Sequence, residues 1–496
     1  MSLFLFGCMG KHAQEDQQEA SYAPDWESLA GHEASPEWFR NAKLGIYFHW
    51  GVYSVPAYSS EWYPRHMHQE GHDVYKHHME TYGHPSEFGY HDFVPMFRAE
   101  HFNAAEWADL FKQAGARFAG PVAEHHDGFA MWDSDATPWN VNDMGPQKDI
   151  TGLLAAELEE RGIKLITTFH HAKQLQRHDS IRTEDHEPYQ WSHYPWSLDM
   201  PTSSEDPKLR LLYGNMPEEQ WLEEIWFAKL KEVIDRYQPD IIWFDYVLDK
   251  IPAAYRQKFA AYYLNQAENW GKEVVIVRKQ EDLPLDFTVE DLEKSRKNRL
   301  EKDPWMTDET ISKGSWCYTE NLEIKTATDV LHVLIDIASK NGVLLLNVSP
   351  KANGTIPDNQ KQVLLTMGQW LNAYGEAIYD TRPWYIFGEG PTIQPEGHFE
   401  FHREFLKIKY SWKDIRYTAR DRIIYATLMG WPGPGTEISL EAFSSESLPE
   451  QVDISTVSLL GSDAAIEWDL EESGLLLKMP SETPDSMAVV FKIESR

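Results

Sequence analysis

Short apolar runs that end in a titratable side chain recur along the first half of the chain. Four of them are residues 44–48 before His49, 117–123 before Glu124, His125 and His126, 164–169 before His170, and 240–244 before Asp245. Strands that are apolar along their whole length are typical of a parallel sheet that is covered on both faces. The polar residues are therefore predicted at carboxyl ends of strands, where barrel enzymes place their chemistry.

Segments of helical period lie between these runs, at residues 105–114, 150–161 and 218–237. Asp149 is placed to cap the second of them, and Gly162 follows its end. Further apolar runs at residues 273–277 and 342–348 bring the number of clear strands to about six. Alternating strands and helices indicate right-handed βα units, so we predict a (β/α)8-like (TIM) barrel, although that fold needs eight strands.

The pattern changes near Asp380, where helical period gives way to short alternating runs. These are residues 405–410, 422–428, 437–440 and 486–493, separated by Gly, Pro and Ser clusters. Such spacing favours an all-β sandwich. We therefore divide the chain into an amino-terminal tail (1–23), a catalytic barrel (24–383) and a C-terminal β-sandwich (384–496), connected at Arg382-Pro383-Trp384.

Charge and aromatic content limit the class of ligand. The formal net charge is −33, from 46 basic and 79 acidic side chains, which disfavours nucleic acid as a partner. Aromatic residues make up 13% of the chain and include 20 Trp. Because sugars stack their C–H faces on such rings, a carbohydrate substrate fits both features.

The first residues suggest export. An apolar stretch, Leu3 to Phe6, precedes Gly7-Cys8 and a polar run, which resembles the end of a bacterial lipoprotein signal with Cys8 as the acylated residue. This interpretation predicts a periplasmic or extracellular, lipid-anchored protein. The alternative is a fortuitous apolar start or an altered amino terminus, because a basic segment is missing. The pattern does not indicate an oligomeric state.

Asp245 is the strongest candidate for chemistry. It ends an apolar strand beside Trp243 and Phe244, which predicts a partly desolvated carboxylate able to attack an electrophilic carbon. Retaining glycoside hydrolysis needs a second carboxyl group about 5 Å away. Spacing alone leaves six candidates after the 273–277 strand: Glu281, Asp282, Asp286, Glu290, Asp291 and Glu293.

The histidines at strand ends, His49, His125 and His126, suit either sugar hydroxyls or a metal ion. A metal site could also use His66-x-His68, in a stretch that holds seven of the 21 His. That stretch is predicted to be loop and helix, with imidazoles scattered around the helix. We therefore expect hydroxyl contacts rather than a metal site.

Five motifs in a fixed order identify a family. They are residues 42–56 (AKLGIYFHWGVYSVP), Glu61-Trp62-Tyr63, His125-His126-Asp127-Gly128-Phe129, Trp243-Phe244-Asp245, and residues 344–350 (LLLNVSP) with 354–357 (GTIP). Together they resemble glycoside hydrolase family 29, the α-L-fucosidases, closely over about residues 24–385 and more loosely beyond. The resemblance implies an exo-acting, retaining hydrolase that removes terminal α-L-fucose from fucosylated glycans through a covalent fucosyl-enzyme intermediate, with no metal or organic cofactor.

The resemblance also implies roles for individual residues. Asp245 matches the nucleophile, and Arg278 matches an arginine placed against its carboxylate. Glu290, in Asp286-Phe287-Thr288-Val289-Glu290, is our choice as acid/base, with Glu281 and Glu61 as rivals because this stretch is one residue shorter than one form of the pattern. The remaining substrate-binding residues implied are His49, Glu61, His125 and His126 for the hydroxyls, Trp62 and Trp243 as pocket walls, and Trp316 for the C5 methyl group.

One departure from the family concerns Thr167 and Thr168, where members often carry tyrosines; His170 or His171 is a substitute for that contact. Three other functions stay open: an α-L-galactosidase-like hydrolase, a non-catalytic carbohydrate-binding barrel, and a metal-dependent hydrolase.

Overall fold

The structure is a computed structural model that describes residues 21–176, 192–196, 199–395, 402–448, 452–482 and 485–496. The tail that contains Cys8 lies outside these residues, so the lipid anchor stays a prediction. Among the helices described, none is long and apolar enough to cross a bilayer.

Parallel strands close into an eight-stranded barrel within the described residues, which confirms the predicted fold. Each strand pairs with its neighbour in sequence, and the last pairs with the first through Leu44 and Leu344. The strands are β1 (Leu44–Phe48), β2 (Phe118–Glu124), β3 (Lys164–Phe169), β4 (Ile241–Phe244), β5 (Val275–Arg278), β6 (Val289–Asp291), β7 (Trp305–Thr310) and β8 (Gly342–Val348).

Alternate side chains of these strands fill the barrel interior. One buried cluster contains Tyr47, Ile166, Ile241, Trp243, Val275, Val277, Val289, Met306 and Leu345, so most strands contribute to it. Their neighbours in sequence, such as Ile242 and Ile276, instead pack outward against helices. This alternation determines which side chain at each strand end points into the barrel.

Helices cover the outside of the barrel. The described helices are α1 (Trp26–Leu29), α2 (Glu37–Ala42), α3 (Tyr63–His66), α4 (Asp73–Thr81), α5 (Ala104–Gln113), α6 (Ile150–Glu160), α7 (Pro207–Tyr213), α8 (Glu218–Trp221), α9 (Ala228–Tyr237), α10 (Ala253–Trp270), α11 (Ala327–Ser339), α12 (Asp358–Tyr374) and α13 (His402–Phe405). Asp149 caps α6 as predicted, by accepting from the Gly152 N–H at 2.9 Å. The predicted helix 218–237 is helical throughout, with a π-helical turn at 222–227 between α8 and α9.

Two antiparallel sheets form the C-terminal sandwich. Their strands are β9 (Arg382–Glu389), β10 (Ile415–Arg420), β11 (Ile423–Leu428), β12 (Glu437–Leu440), β13 (Ile454–Leu459), β14 (Glu467–Glu471), β15 (Gly474–Lys478) and β16 (Val489–Ser495). One sheet has the order β13-β16-β11-β10-β9 and the other β12-β15-β14. Side chains from both sheets, among them Leu428, Ile438 and Leu475, share one buried core.

Buried ion pairs join the sandwich to the barrel. Asp336 of α11 accepts from Arg416 Nε of β10 at 2.6 Å and from Lys340 Nζ at 2.8 Å, and all three side chains are almost fully buried. Removal of Asp336 would leave two cations without their carboxylate in the interior, so this contact favours one arrangement of the two parts.

One detail of the sequence prediction is wrong: residues 405–410 do not form a strand, because α13 ends at Phe405 and irregular chain follows. The predicted connection, Arg382-Pro383-Trp384, coincides with the first three residues of β9. Two strands, β6 and β7, were not identifiable as apolar runs because β6 has only three residues and β7 carries Thr307, Asp308, Glu309 and Thr310.

Candidate active site

A cavity of about 1030 Å³ opens at the carboxyl ends of the barrel strands. That edge of a β/α barrel is where catalytic side chains from several strands converge. Its lining brings together most of the predicted residues and several others: His49, Glu61, Trp62, His125, His126, His170, Asp245, Tyr246, Lys279, Glu281, Glu293, Lys294, Asp308 and Trp316.

Asp245 lies at the floor of this cavity, directly after β4, with 7% of its surface exposed. Its Oδ2 lies 3.1 Å from His126 Nε2 and 3.4 Å from His170 Nδ1, and its Oδ1 lies 3.0 Å from Lys279 Nζ. Burial alone would raise the pKa of this carboxyl group, but Lys279 and the two histidines hold it well below the usual value. Asp245 is therefore an ionised, almost dry carboxylate.

Lys279 connects Asp245 to a second carboxylate. Its Nζ lies 3.0 Å from Asp245 Oδ1 and 2.7 Å from Glu293 Oε2, so these two oxygens are no further apart than the sum of both distances, 5.7 Å. Asp308 Oδ2 is a third neighbour at 3.4 Å. Burial opposes the charge on Lys279, yet the surrounding carboxylates raise its pKa well above the ordinary value. Lys279 is thus a permanent cation between the acids.

Glu293 differs from Asp245 in its protonation. Burial raises the pKa of Glu293 to about 7; Lys279 opposes this rise, and the negative charges of Asp308 and Asp245 add to it. Asp245 and Glu293 therefore face one cavity with pKa values displaced in opposite directions. Such a pair is the usual arrangement of an ionised carboxylate beside a carboxylic acid in glycoside hydrolases.

Neutral imidazoles line the opposite wall. His49 is fixed by Asn347, whose Oδ1 lies 2.9 Å from both the backbone nitrogen and Nδ1 of His49. Burial lowers the pKa of His49 and His125 well below the ordinary value, and that of His126 to about 4 in spite of the nearby Asp245. Neutral rings can both donate to and accept from hydroxyl groups, as a sugar requires.

Glu61 organises the aromatic side of the cavity. Its Oε2 accepts from the Ser315 hydroxyl at 3.1 Å, the Trp316 N–H at 3.1 Å and the Cys317 N–H at 3.4 Å. The Trp316 ring stacks on His49 with centroids 5.2 Å apart. Glu61 therefore fixes the position of an apolar wall that belongs to a different loop.

Two overlapping groups in the described residues have the donor types of a transition-metal site: His49, His125 and His170, and His126, His170 and Asp245. In each group the ligand atoms all lie within 4.8 Å of one another. The same nitrogens suit sugar hydroxyls, so a metal ion and a sugar would compete for one place.

Three predicted residues lie elsewhere than expected. Arg278 faces away from the cavity and donates to the Leu283 carbonyl at 2.6 Å, so Lys279, and not Arg278, contacts Asp245. Trp243 is fully buried beneath the cavity, where Lys279 Nζ lies 4.8 Å from its ring centroid. Glu290 is not among the lining residues and pairs instead with Lys297 at 2.7 Å.

Sequence reasoning did not name Lys279 or Asp308, and it left Glu293 as one of six candidate acids without choosing it. The signal that could have found them is the alternation along a strand, extended past its end. Val275 and Val277 face the barrel interior, which places Lys279 on the same side and Arg278 on the other. Val289 also faces the interior, so Asp291 and Glu293 lie on the inward side of the chain and Glu290 lies on the outward side.

Known proteins share this fold and sequence. The sequence model of α-L-fucosidase matches residues 9–376, and that of the α-L-fucosidase C-terminal domain matches residues 410–494. The chain is 29% identical to rat tissue α-L-fucosidase, covering 94% of this chain and 90% of the relative, and 28% identical to the human tissue enzyme, covering 99% and 94%. The crystal structure of Thermotoga maritima α-fucosidase in complex with fucose superimposes with a TM-score of 0.72 at 26% identity, covering 95% of this chain and 100% of that one.

Proposed function

The chain belongs to the α-L-fucosidase family, and on that basis we propose that it removes terminal α-L-fucose from fucosylated glycans by a retaining double displacement with Asp245 as the nucleophile. The observation that carries the assignment is the ionised, buried Asp245 within 5.7 Å of a carboxyl group of raised pKa. Retaining enzymes place their two carboxyl groups about 5–5.5 Å apart.

In the first step an oxygen of Asp245 attacks the anomeric carbon, and the bond from that carbon to the glycosidic oxygen breaks. The departing oxygen takes a proton from the acid/base residue, which becomes a carboxylate. In the second step that carboxylate removes a proton from water, the water oxygen bonds to the anomeric carbon, and Asp245 is released. His126, His170 and Lys279 support the ionised nucleophile before attack and after release.

We assign the acid/base role to Glu293 in place of Glu290. Glu293 lines the cavity, shares Lys279 with the nucleophile, and has a pKa of about 7, so it is protonated in mildly acidic solution. Glu281 also lines the cavity and stays the rival. Glu290 lies on the outward side of β6, beside Lys297.

The cavity walls supply the recognition of fucose in this proposal. His49, His125 and His126 exchange hydrogen bonds with ring hydroxyls because their imidazoles are neutral. The Trp316 ring contacts the C5 methyl group, and Glu61 holds that ring in place. A hydroxyl at C6, as in α-L-galactose, would have to be desolvated against this ring, so the fucoside is the preferred substrate.

The test is the Asp245→Gly variant with an aryl α-L-fucoside. Because removal of the nucleophile abolishes the first step, turnover should fall by several orders of magnitude while circular dichroism and the unfolding midpoint stay near wild type. Added azide should restore turnover and give the inverted β-fucosyl azide. Turnover of the variant near the wild-type rate would show that Asp245 is not the nucleophile.

Export with acylation at Cys8 belongs to the same proposal. Cells that express the full chain should incorporate labelled palmitate into the protein, and the Cys8→Ser variant should lose this label. Equal labelling of the two proteins would contradict acylation at Cys8.

A further inference from the structure

A second cavity, of about 300 Å³, lies between the barrel and the segment that connects β9 to β10. Residues from α11, from β7 and the chain around it, and from residues 405–410 line it. Its charged lining consists of four cations, Arg296, Lys313, Lys325 and Lys409, and two carboxylates, Glu309 and Asp329. This cavity takes no part in the reaction described above.

The three lysines each have a carboxylate of their own. Lys325 pairs with Glu309 at 2.8 Å and Lys409 pairs with Asp329 at 2.6 Å. Lys313 pairs with an exposed residue, Glu323, at 3.3 Å. The charges of these pairs cancel, so Arg296 remains as the surplus cation of the lining.

Arg296 is 4% exposed, and among the described residues its guanidinium forms no ion pair and no hydrogen bond. The guanidinium carbon lies 5.1 Å from the centroid of the Phe405 ring, which is a cation–π distance. The nearby Asp336 is already occupied by Lys340 and Arg416. Because a buried charge is costly unless it is paired, this side chain requires an anion that the described chain does not supply.

We propose that this cavity binds an oxyanion, phosphate or sulfate in type, with the Arg296 guanidinium as its principal ligand. A guanidinium presents a planar fork of donors that matches two oxygens of such a group.

Two sources could deliver this group, a free inorganic anion or an anionic substituent on the glycan. The second source is a candidate because a small cavity of about 40 Å³, whose lining includes Lys294, Gly314, Lys313 and Lys325, lies between the two sites. Lys294 and Gly314 also line the active-site cavity, and Lys313 and Lys325 line the oxyanion cavity. An aglycone that leaves the active site on this side would approach Arg296; this second source rests on the proposed function, whereas the first does not.

The first experiment is calorimetric titration of the full-length protein with inorganic phosphate and with sulfate at constant ionic strength. We expect one site per chain, with binding weakened about 10- to 100-fold in Arg296→Met, as for loss of a charged hydrogen bond. Leu406→Trp, which fills the cavity without altering any charge, should weaken binding as well. Lys407→Met is the matched control, because Lys407 points to Glu404 and is 69% exposed, and it should bind as wild type does.

The second experiment compares a fucosylated oligosaccharide that carries one sulfate on its aglycone with its desulfated analogue. If inorganic anions do not bind but the sulfated substrate has the lower KM, and Arg296→Met abolishes that difference, the oxyanion is carried by the glycan. Anion binding of equal strength in wild type and Arg296→Met would overturn the proposal. So would the absence of both anion binding and any effect of the sulfate.

Discussion

The assignment of Glu293 as acid/base can be tested by replacing it with glutamine. The variant keeps the size of the side chain but cannot donate a proton to the leaving group. A positioned general acid contributes about 10²–10⁴-fold to rate, which corresponds to about 2.7–5.4 kcal/mol at about 1.36 kcal/mol for each factor of ten. We expect a loss of this size in kcat/KM for fucosides with poor leaving groups, such as alkyl fucosides and oligosaccharides.

Leaving-group dependence separates this role from a general loss of structure. An aryl fucoside with a strongly acidic phenol needs no proton in the first step, so Glu293→Gln should retain most of its kcat/KM on that substrate. The second step still lacks its base, so a burst of phenol should precede slow turnover. Azide, which needs no base, should accelerate that turnover and give the retained α-fucosyl azide.

The pH dependence adds an independent measurement. Because the pKa of Glu293 is raised to about 7, its carboxyl group is protonated below that pH in the wild type. It loses this proton, and with it the ability to act as an acid, as the pH rises through that value. The kcat/KM for a poor leaving group should therefore fall above about pH 7 in wild type. This alkaline limb should be absent in Glu293→Gln.

Glu290→Gln and Glu281→Gln are the matched controls. Glu290 lies outside the cavity lining, and Glu281 lies inside it without a contact to Lys279 in the described structure. Both should show the same modest change for good and poor leaving groups. A loss confined to poor leaving groups in one of these variants, with Glu293→Gln unaffected, would refute the assignment.

Three further predictions concern the charges of the barrel. Lys279→Met should move the acid limb of kcat/KM to higher pH, since the carboxylate of Asp245 loses the cation that depresses its pKa; an unchanged limb in a pH–rate profile would contradict this. Lys229→Met should lower the free energy of unfolding by about 3–5 kcal/mol in urea titrations, because Glu124 is fully buried against Lys229 at 2.8 Å. The double variant with Glu124→Gln should recover most of the lost stability. A Lys229→Met variant as stable as wild type would contradict the prediction. Zn²⁺ should inhibit competitively with substrate and EDTA should reverse that inhibition, because His170 belongs to both groups of potential metal ligands in the cavity; noncompetitive inhibition would place the ion elsewhere.

The fold was largely predictable because most barrel strands are apolar on both faces. β1, β2 and β8 are fully buried, and each contains at least five consecutive apolar or aromatic residues. β6 and β7 were not predictable in this way. Their inward side chains Asp291 and Asp308 lie beside Lys279 under the active site, so polar residues replace the apolar pattern where the chemistry is located.

The proposed site differs from the predicted one in the side of the strand, not in location. Family resemblance chose Arg278 and Glu290, whereas Lys279 and Glu293 are the neighbouring residues that line the cavity. Arg278 is one residue from the inward-facing Val277 of β5, and Glu290 is one residue from the inward-facing Val289 of β6. Each therefore lies on the outward face of its strand. A register shift of one residue moves a side chain to the opposite face of a sheet.

The same parity rule explains why other assignments agree with the cavity. Ile241 and Trp243 face the barrel interior, so Asp245 continues that side past the end of β4, and Tyr47 places His49 likewise past β1. In these two strands the inward row ends in a polar group at the cavity, and the Trp243 ring also lies beside Lys279 and His170. Apolar packing in the middle of the barrel sets the alternation of inward and outward side chains, and this alternation continues to the strand ends that form the cavity. A motif match that is displaced by one residue therefore selects a side chain on the opposite face of the strand.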